Sequence, residues 1–182
     1  NYAPDFDADG GPYAYALMVL AREGAAAVGD LRYFADVKAE AFDTPIASAQ
    51  LAAALASYGD QRRADAMFDQ AARLVAARAA ETELQLWRAD YGTRLRDATA
   101  LLALASEAGS TAIDAEGLSN AVVSDMIGKP LSTQEATWAL LATHALIDRS
   151  GTGGFTVNGA PADRAVIALS EGDAATPQSI TN

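Results

Sequence analysis

His144 is the residue of this chain best suited to acid–base chemistry, because an imidazole titrates near neutral pH. It is the single histidine in 182 residues and shares a helical face with Leu140 and Ile147. The chain has no cysteine and no serine in a recognisable nucleophile turn, so no catalytic triad can be assembled around the imidazole. We therefore expect His144 to be packed or exposed at a helix edge, and we predict no catalytic residue.

Acidic residues offer a second kind of chemistry, since a glycosidase needs two carboxylates that face one cavity. The candidate carboxylates are Asp36, Asp90 and Asp97. The aromatic residues that could stack on a sugar are Trp87, Tyr91 and Trp138. Nothing in the spacing places the carboxylates opposite one another. Arg94 lies about one helical turn before Asp97, which predicts an ordinary surface ion pair.

Metal and cofactor sites are not indicated either. Asp5, Asp7 and Asp9 alternate before Gly10 as in the first half of a calcium-binding loop. The twelfth position of that loop, which needs a bidentate Glu, is occupied by Ala16, so the EF-hand interpretation fails. We predict no metal and no cofactor.

Helix capping explains the pattern of Ser132 followed by Thr133, Gln134 and Glu135. Ser and Glu three residues apart form a capping box, in which each side chain bonds the backbone amide of the other residue. Capping explains Glu135 fully, and Gln134 is expected to hydrogen-bond into a neighbouring hairpin.

The chain is predicted to contain seven helices, bounded by caps, prolines and glycines. Their expected positions are Pro12 to Gly24, Asp30 to Ala41, Thr44 to Gly59, from Asp60 onward, Leu95 to Gly109, Asp114 to Gly128, and Ser132 to about Asp148. The first, third and fifth helices (ALMVLAREG, QLAAALASYG and ALLALASEAG) are rich in Ala and Leu on most sides and are expected to be buried, whereas the even-numbered ones are more amphipathic. In the first helix, Tyr13, Leu17 and Leu20 are expected to share one face.

Short turns between the helices make neighbours antiparallel, which predicts a mainly α fold. The expected architecture is a partial array of antiparallel helical hairpins, either an open solenoid or a closed α/α toroid, over residues 1–150. Residues 151–182 change character: Asn158–Gly159 is typical of a type I′ hairpin turn, and Arg164–Leu169 alternates as a strand does. Ile180–Asn182 is expected to enter a further strand. We predict the start of a β domain there.

The net charge is −11 and the sequence pI is about 4.3, which argues against binding to nucleic acid or to an anionic membrane. The longest nearly unbroken apolar stretch, Tyr13–Ala21, is about half of the roughly 20 residues needed to span a bilayer. Neither a membrane helix nor a secretory signal is expected within this chain. The absence of cysteine excludes disulfides and thiolate metal sites.

Four motifs together resemble a known family. TPIASAQLAAALASYGDQRRADAMFDQAA at Thr44–Ala72 and STQEATWALLATHAL at Ser132–Leu146 flank DYGTRLRDATALLALASEAG, and DLRYFAD lies upstream at Asp30–Asp36. This order resembles the late part of the thioester-type helical domain of bacterial alpha-2-macroglobulins, which are large protease-trapping proteins. The resemblance covers roughly residues 11–182.

The resemblance implies a helical toroid inserted in a CUB-like β-sandwich, to which the chain returns after residue 151. It also implies that the parent protein inhibits proteases in the periplasm, with membrane anchoring through the N-terminus of the full-length protein as an option. The expected partners are proteases and other domains of the same chain. The family's Cys-x-Glu-Gln thioester is absent here because the chain has no cysteine. This piece is therefore expected to be structural, with no enzymatic turnover.

The main alternative is a tetratricopeptide-like binding scaffold. The segment from Leu51 to Arg78 has the small-residue pattern of such a helical pair, and Gly24 and Gly59 are about one 34-residue repeat apart. The neighbouring pairs do not reproduce this interval, and DLRYFAD and STQEATWALLATHAL stay unexplained. A toroidal glycosidase or lyase is the second alternative.

Overall fold

The computed structural model describes residues 10–79, 90, 92–150, 156–161 and 179–181. Seven α-helices lie within these residues: α1 Gly11–Arg22, α2 Val28–Val37, α3 Pro45–Ser57, α4 Gln61–Ala79, α5 Arg94–Glu107, α6 Ala115–Met126 and α7 Thr133–Ser150. A single 3-10 turn, Ala39–Ala41, follows α2. The prediction of a mainly α fold is confirmed. Closure of the array into a toroid stays a prediction.

Side-chain caps start four of the described helices, namely α3, α5, α6 and α7. The Thr44 hydroxyl accepts a hydrogen bond from the Ala47 amide at 3.2 Å, and the Asp114 carboxylate accepts one from the Gly117 amide at 2.9 Å, as expected from the sequence. Thr93 caps α5 in the same way, one residue before Arg94, a cap that the apolar pattern beginning at Leu95 did not reveal. These caps satisfy amides that have no partner within the helix.

Helix α2 begins at Val28, two residues before the expected start at Asp30. Its first residue is preceded by Ala27, which provides no side-chain cap. Asp30 instead lies in the first turn, where its negative charge is favourable near the positive end of the helix dipole. The acidic residue therefore marks the first turn rather than the cap.

The core is built around α3 and α5. Nine residues of α3 are buried, and in α5 every residue from Arg96 to Ser106 is buried. α3 packs against α1, α2, α4 and α5, whereas α5 packs against α3, α4, α6 and α7. A helix that is surrounded in this way needs apolar or small residues on all sides, which explains the Ala and Leu content of both segments. For α3 and α5 the predicted burial is confirmed.

The same prediction is wrong for α1. Its buried residues are Ala14, Met18 and Ala21, while Tyr15 and Leu20 are 58% and 44% exposed. The expected face of Tyr13, Leu17 and Leu20 is therefore not the buried one, because α1 packs against α3 and buries the face that carries Ala14, Met18 and Ala21. α7 is also an outer helix, with Leu140 71% exposed.

The C-terminal part forms a small antiparallel sheet. Its strands are β1 Thr156–Val157, β2 Ala160–Pro161 and β3 Ile180–Thr181, in the order β2-β1-β3. Asn158 and Gly159, between β1 and β2, both have positive φ angles of 53° and 79°, as a type I′ turn requires. The predicted turn is confirmed. The expected strand at Arg164–Leu169 lies outside the described residues, and a β-sandwich domain starting at residue 151 stays a prediction.

Within the described part of the chain, no helix is both long and apolar enough to cross a membrane.

Candidate functional site

The starts of α5 and α7 lie side by side and share a polar cluster. Thr93 Oγ1 accepts a hydrogen bond from the Arg96 amide at 3.0 Å and donates one to Glu135 Oε1 at 2.6 Å. Further along, Leu102 and Ala103 of α5 pack with Ala142 of α7. The two helices therefore run in the same direction, with α6 as the antiparallel connection between them.

Arg96 is the centre of this cluster. Its side chain is 5% exposed, and its guanidinium donates to Asp97 Oδ1 at 2.6 Å and to Asp90 Oδ2 at 2.8 Å. It also donates to the Asp90 carbonyl oxygen at 3.1 Å and to Gln134 Oε1 at 3.2 Å. A buried charge is tolerated only when it is paired and hydrogen-bonded, and here four acceptor atoms satisfy the guanidinium.

Asp97 extends the cluster to a third helix. Its carboxylate is 1% exposed and accepts a hydrogen bond from Arg78 Nη1 of α4 at 3.1 Å, in addition to those from Arg96. The expected surface pair between Arg94 and Asp97 is wrong. Arg94 instead contacts Asp125 of α6 at 2.5 Å, because Asp97 points into the protein and Arg94 points out.

Glu135 has a second role beside capping. Its Oε2 accepts a hydrogen bond from the Ser132 amide at 2.8 Å, and the Ser132 hydroxyl accepts one from the Glu135 amide at 3.3 Å, which confirms the capping box. Its Oε1 accepts the bond from Thr93, so capping alone does not explain the residue. Burial raises the pKa of Glu135, but the hydrogen bonds from Thr93 and Ser132 outweigh burial and lower the pKa below its ordinary value.

The three candidate glycosidase carboxylates do not form a facing pair. Asp90 and Asp97 both bind the guanidinium of Arg96, and Asp36 lies in a separate cluster with Arg63. Of the aromatic candidates, Trp138 is half-buried against the core, while Trp87 and Tyr91 lie outside the described residues. The arrangement pairs negative charge with positive charge and offers no carboxyl group placed for proton donation.

The second cluster joins α2 to the start of α4. Arg63 binds Asp36 at 2.8 Å and Asp60 at 3.0 Å, and Arg32 binds Asp60 at 2.8 Å. The hydrogen bond from Arg63 lowers the pKa of Asp36, against a smaller opposing effect of desolvation, and the bond from Arg32 is the main cause that lowers the pKa of Asp60. The same contacts raise the pKa of the Arg63 guanidinium. An ion pair between Arg32 and Asp60 therefore connects the DLRYFAD segment to the turn after α3.

His144 lies at an exposed edge of α7. Its side chain is 75% exposed, and Nδ1 is 3.1 Å from Asp148 Oδ2 one turn later. Of the two placements expected from the sequence, packed or exposed at a helix edge, the structure shows the exposed one. Among the described residues, no group of three or more His, Asp or Glu side chains is arranged to hold a metal ion, and Asp5, Asp7 and Asp9 lie outside them.

The chain is 31% identical to Escherichia coli alpha-2-macroglobulin over 139 residues. The chain belongs to the bacterial alpha-2-macroglobulin family. The match covers 76% of this chain and 8% of the E. coli protein, so the chain spans a small part of the length of its curated relative. No protein-family model matches the chain.

Solved structures of bacterial alpha-2-macroglobulins share the fold. The Salmonella alpha-2-macroglobulin reacted with methylamine is 29% identical and superposes with a TM-score of 0.64 over 90% of this chain and 11% of that one. The native conformation of the E. coli protein is 25% identical, with a TM-score of 0.65 over 99% of this chain and 10% of that one. An E. coli structure spanning domain MG7 to the C-terminus is 25% identical, with a TM-score of 0.62 over 99% of this chain and 25% of that one.

The motifs that suggested an alpha-2-macroglobulin are the same segments that the two clusters join. Thr93 and Arg96 of DYGTRLRD hydrogen-bond to Glu135 and Gln134 of STQE. Arg63 of YGDQRRAD forms an ion pair with Asp36 of DLRYFAD. Sequence reasoning missed Thr93 and Arg96 as cluster residues. The available signal was a charged pair, Arg96–Asp97, directly before an Ala- and Leu-rich helical stretch, because charges that become buried there need partners.

Proposed function

We propose that this segment is a structural part of the helical domain of a protease-trapping inhibitor. The observation that carries the proposal is the similarity to bacterial alpha-2-macroglobulins, in sequence over 139 residues and in structure over 90–99% of the chain. This similarity also favours the family over the tetratricopeptide-like scaffold, since it covers the two motifs that the scaffold left unexplained. The trapped proteases would be partners of the parent protein, and other domains of the same protein would contact this segment.

In this proposal the segment contributes rigidity and performs no turnover of its own. The candidate carboxylates at Asp90 and Asp97 are engaged by Arg96, and the Glu135 carboxylate is engaged by two hydrogen bonds. The hydrogen bonds from Thr93 to Glu135 and from Arg96 to Gln134 cross between the two helices and resist movement of α5 against α7. The small sheet that follows α7 supports the idea that the chain continues into a β domain, so that motion of that domain would pass to the array through α7.

The segment contains no cysteine, so a thioester would have to come from elsewhere in the parent protein. We propose the periplasm as the location of the parent protein, with membrane anchoring through the N-terminus of the full-length protein as an option.

The test is to purify the parent protein that contains this segment and to mix it with trypsin. A trapped protease still cleaves a small chromogenic peptide but loses activity on a large substrate such as casein, because the trap excludes it. We expect that split. Equal loss of both activities, or loss of neither, contradicts the trapping proposal. Hydrolysis of polysaccharides by the purified segment would contradict the absence of turnover.

A further inference from the structure

A cleft of about 650 Å³ lies between α1 and α7, with α5 as its floor. Its volume falls in the range of about 300–1,000 Å³ that is typical of ligand sites. Apolar and aromatic side chains form most of its surface: Tyr15, Met18, Leu104, Trp138 and Leu141. Tyr15 and Leu141 are 58% and 47% exposed, so the walls offer apolar contact area that the described residues do not cover.

The floor of the cleft contains a buried hydroxyl without a partner. Ser106 is 3% exposed, and its Oγ is the single buried side-chain polar atom of the described residues that makes no hydrogen bond. Five helical hydroxyls of the described part donate to the carbonyl oxygen four residues earlier, namely those of Ser57, Thr99, Ser119, Thr137 and Thr143, and the buried Ser48 donates to the Met67 carbonyl oxygen of α4. Ser106 departs from that pattern. Leaving a buried polar group unpaired is unfavourable, and Ser106 lines the cleft, so a ligand that brings a hydrogen-bond donor to this hydroxyl would satisfy it.

The rim of the cleft favours a positively charged ligand. Arg22 and Glu107 are the last residues of α1 and α5, and Asp148 lies in the last turn of α7, so three negative helix ends converge there. Glu107 is paired with Arg22 at 2.6 Å and Asp148 with His144, but all four side chains are about half or more exposed. The rim is acidic because it carries two carboxylates, Glu107 and Asp148, and one guanidinium, Arg22.

We propose that this cleft binds an extended peptide segment in which a lysine or arginine stands beside apolar residues. The apolar side chains would cover Met18, Trp138 and Leu141, and a backbone N–H would donate to Ser106 Oγ. The basic side chain would meet Glu107 and Asp148, which an acidic or neutral segment could not do. An inorganic cation or a simple amine would leave the apolar walls exposed. The proposal does not depend on the protease-trapping function.

The test measures the binding of the blocked pentapeptide acetyl-Gly-Leu-Lys-Leu-Gly-amide to the full chain. The chain has two tryptophans, so a Trp87→Phe background leaves Trp138 at the cleft as the fluorescent reporter. We expect a saturable change with the lysine peptide. The peptide with Glu in place of Lys should bind at least about tenfold more weakly, in line with the cost of placing like charges together.

Two variants localise the site, and one serves as a matched control. Ser106→Ala and Glu107→Gln should each weaken binding by about two- to tenfold, the value of one lost hydrogen bond or charge contact. Ser119→Ala removes a serine hydroxyl that is satisfied within α6 and should leave binding unchanged. Circular dichroism checks that each variant folds. Glu107→Gln replaces an exposed side chain, so it provides the test if Ser106→Ala does not fold.

Four results would overturn the proposal: no saturation with the lysine peptide, equal binding of the glutamate peptide, unchanged binding in both cleft variants, or equally tight binding of ethylammonium, which would replace the peptide by a simple amine.

Discussion

Thr93 Oγ1 lies 2.6 Å from Glu135 Oε1, so the residue that caps α5 donates a hydrogen bond to the residue that closes the capping box of α7. The two residues are 42 positions apart in the sequence. One hydroxyl therefore serves two helix starts, since it accepts from the Arg96 amide and donates to the carboxylate. Helix capping, which is normally local, here fixes the position of two helices relative to each other.

The capping box gives the first prediction. Ser132→Ala removes one exposed cap hydrogen bond and should lower the free energy of unfolding by about 0.5–1 kcal/mol. Glu135→Ala removes the bonds to both Ser132 and Thr93 and should cost more, about 1–3 kcal/mol. Urea unfolding followed by circular dichroism measures both. A larger loss for Ser132→Ala would mean that the bond to Thr93 contributes nothing.

The buried guanidinium gives the second prediction. Arg96→Met removes the 2.6 Å pair with the buried carboxylate of Asp97, to which Arg78 lies at 3.1 Å, and should destabilise the protein by about 3 kcal/mol. Arg94→Met is the matched control, because Arg94 is 47% exposed and pairs on the surface with Asp125. It should cost less than about 1 kcal/mol. Similar losses in the two variants would contradict the central place of Arg96.

Acid sensitivity gives the third prediction. The folded-state pKa of Glu135 is lower than its ordinary value of 4.5, so its stabilising contribution is complete above pH 4.5 and is lost as the pH falls through the folded pKa. The stability difference between the wild type and Glu135→Gln should therefore shrink as the pH is lowered from 7 to 3.5. Asp36 and Asp60 lose their contributions in both proteins alike.

A difference for Glu135→Gln that stays constant, or that grows as the pH falls, would contradict the lowered pKa.

Two side chains of α7 give the fourth prediction. Trp138 is half-buried between the two core clusters, so Trp138→Ala should cost about 2–3 kcal/mol, less than the 3–5 kcal/mol of a fully buried tryptophan. His144→Ala changes an exposed side chain and should stay within about 0.5 kcal/mol of the wild type. Thermal unfolding of the two variants measures both. A large loss of stability for His144→Ala would show that the surface pair with Asp148 holds α7 in place.

The helices and most of their caps could be predicted because their signals are local. Thr44, Asp114 and the Ser132–Glu135 box act within four residues of the chain, and the Asn158–Gly159 turn requires only its own two residues. The start of α5 was predicted one residue late, at Leu95, because the first apolar residue was taken as the boundary. The start of α2 was predicted two residues late, at Asp30, because an acidic residue was taken as the cap.

The polar cluster around Arg96 could not be predicted because its contacts are long-range. The position of Asp97 decides whether it faces solvent or α4, and helical spacing from Arg94 fits either arrangement. The exposure of Leu20 was missed for the same reason, since an apolar residue is buried only where another element covers it. Which helices surround α3 and α5 is a property of the packed array.

The central claim is that the motifs of this chain form a structural connection between α5 and α7 and not an active site. A double-mutant cycle with Thr93→Val, Glu135→Ala and the double variant measures it most directly by urea unfolding. The coupling predicted for these two residues is about 1 kcal/mol or more, because each single change already breaks the shared hydrogen bond. Additive effects, with a coupling below about 0.3 kcal/mol, would contradict the claim.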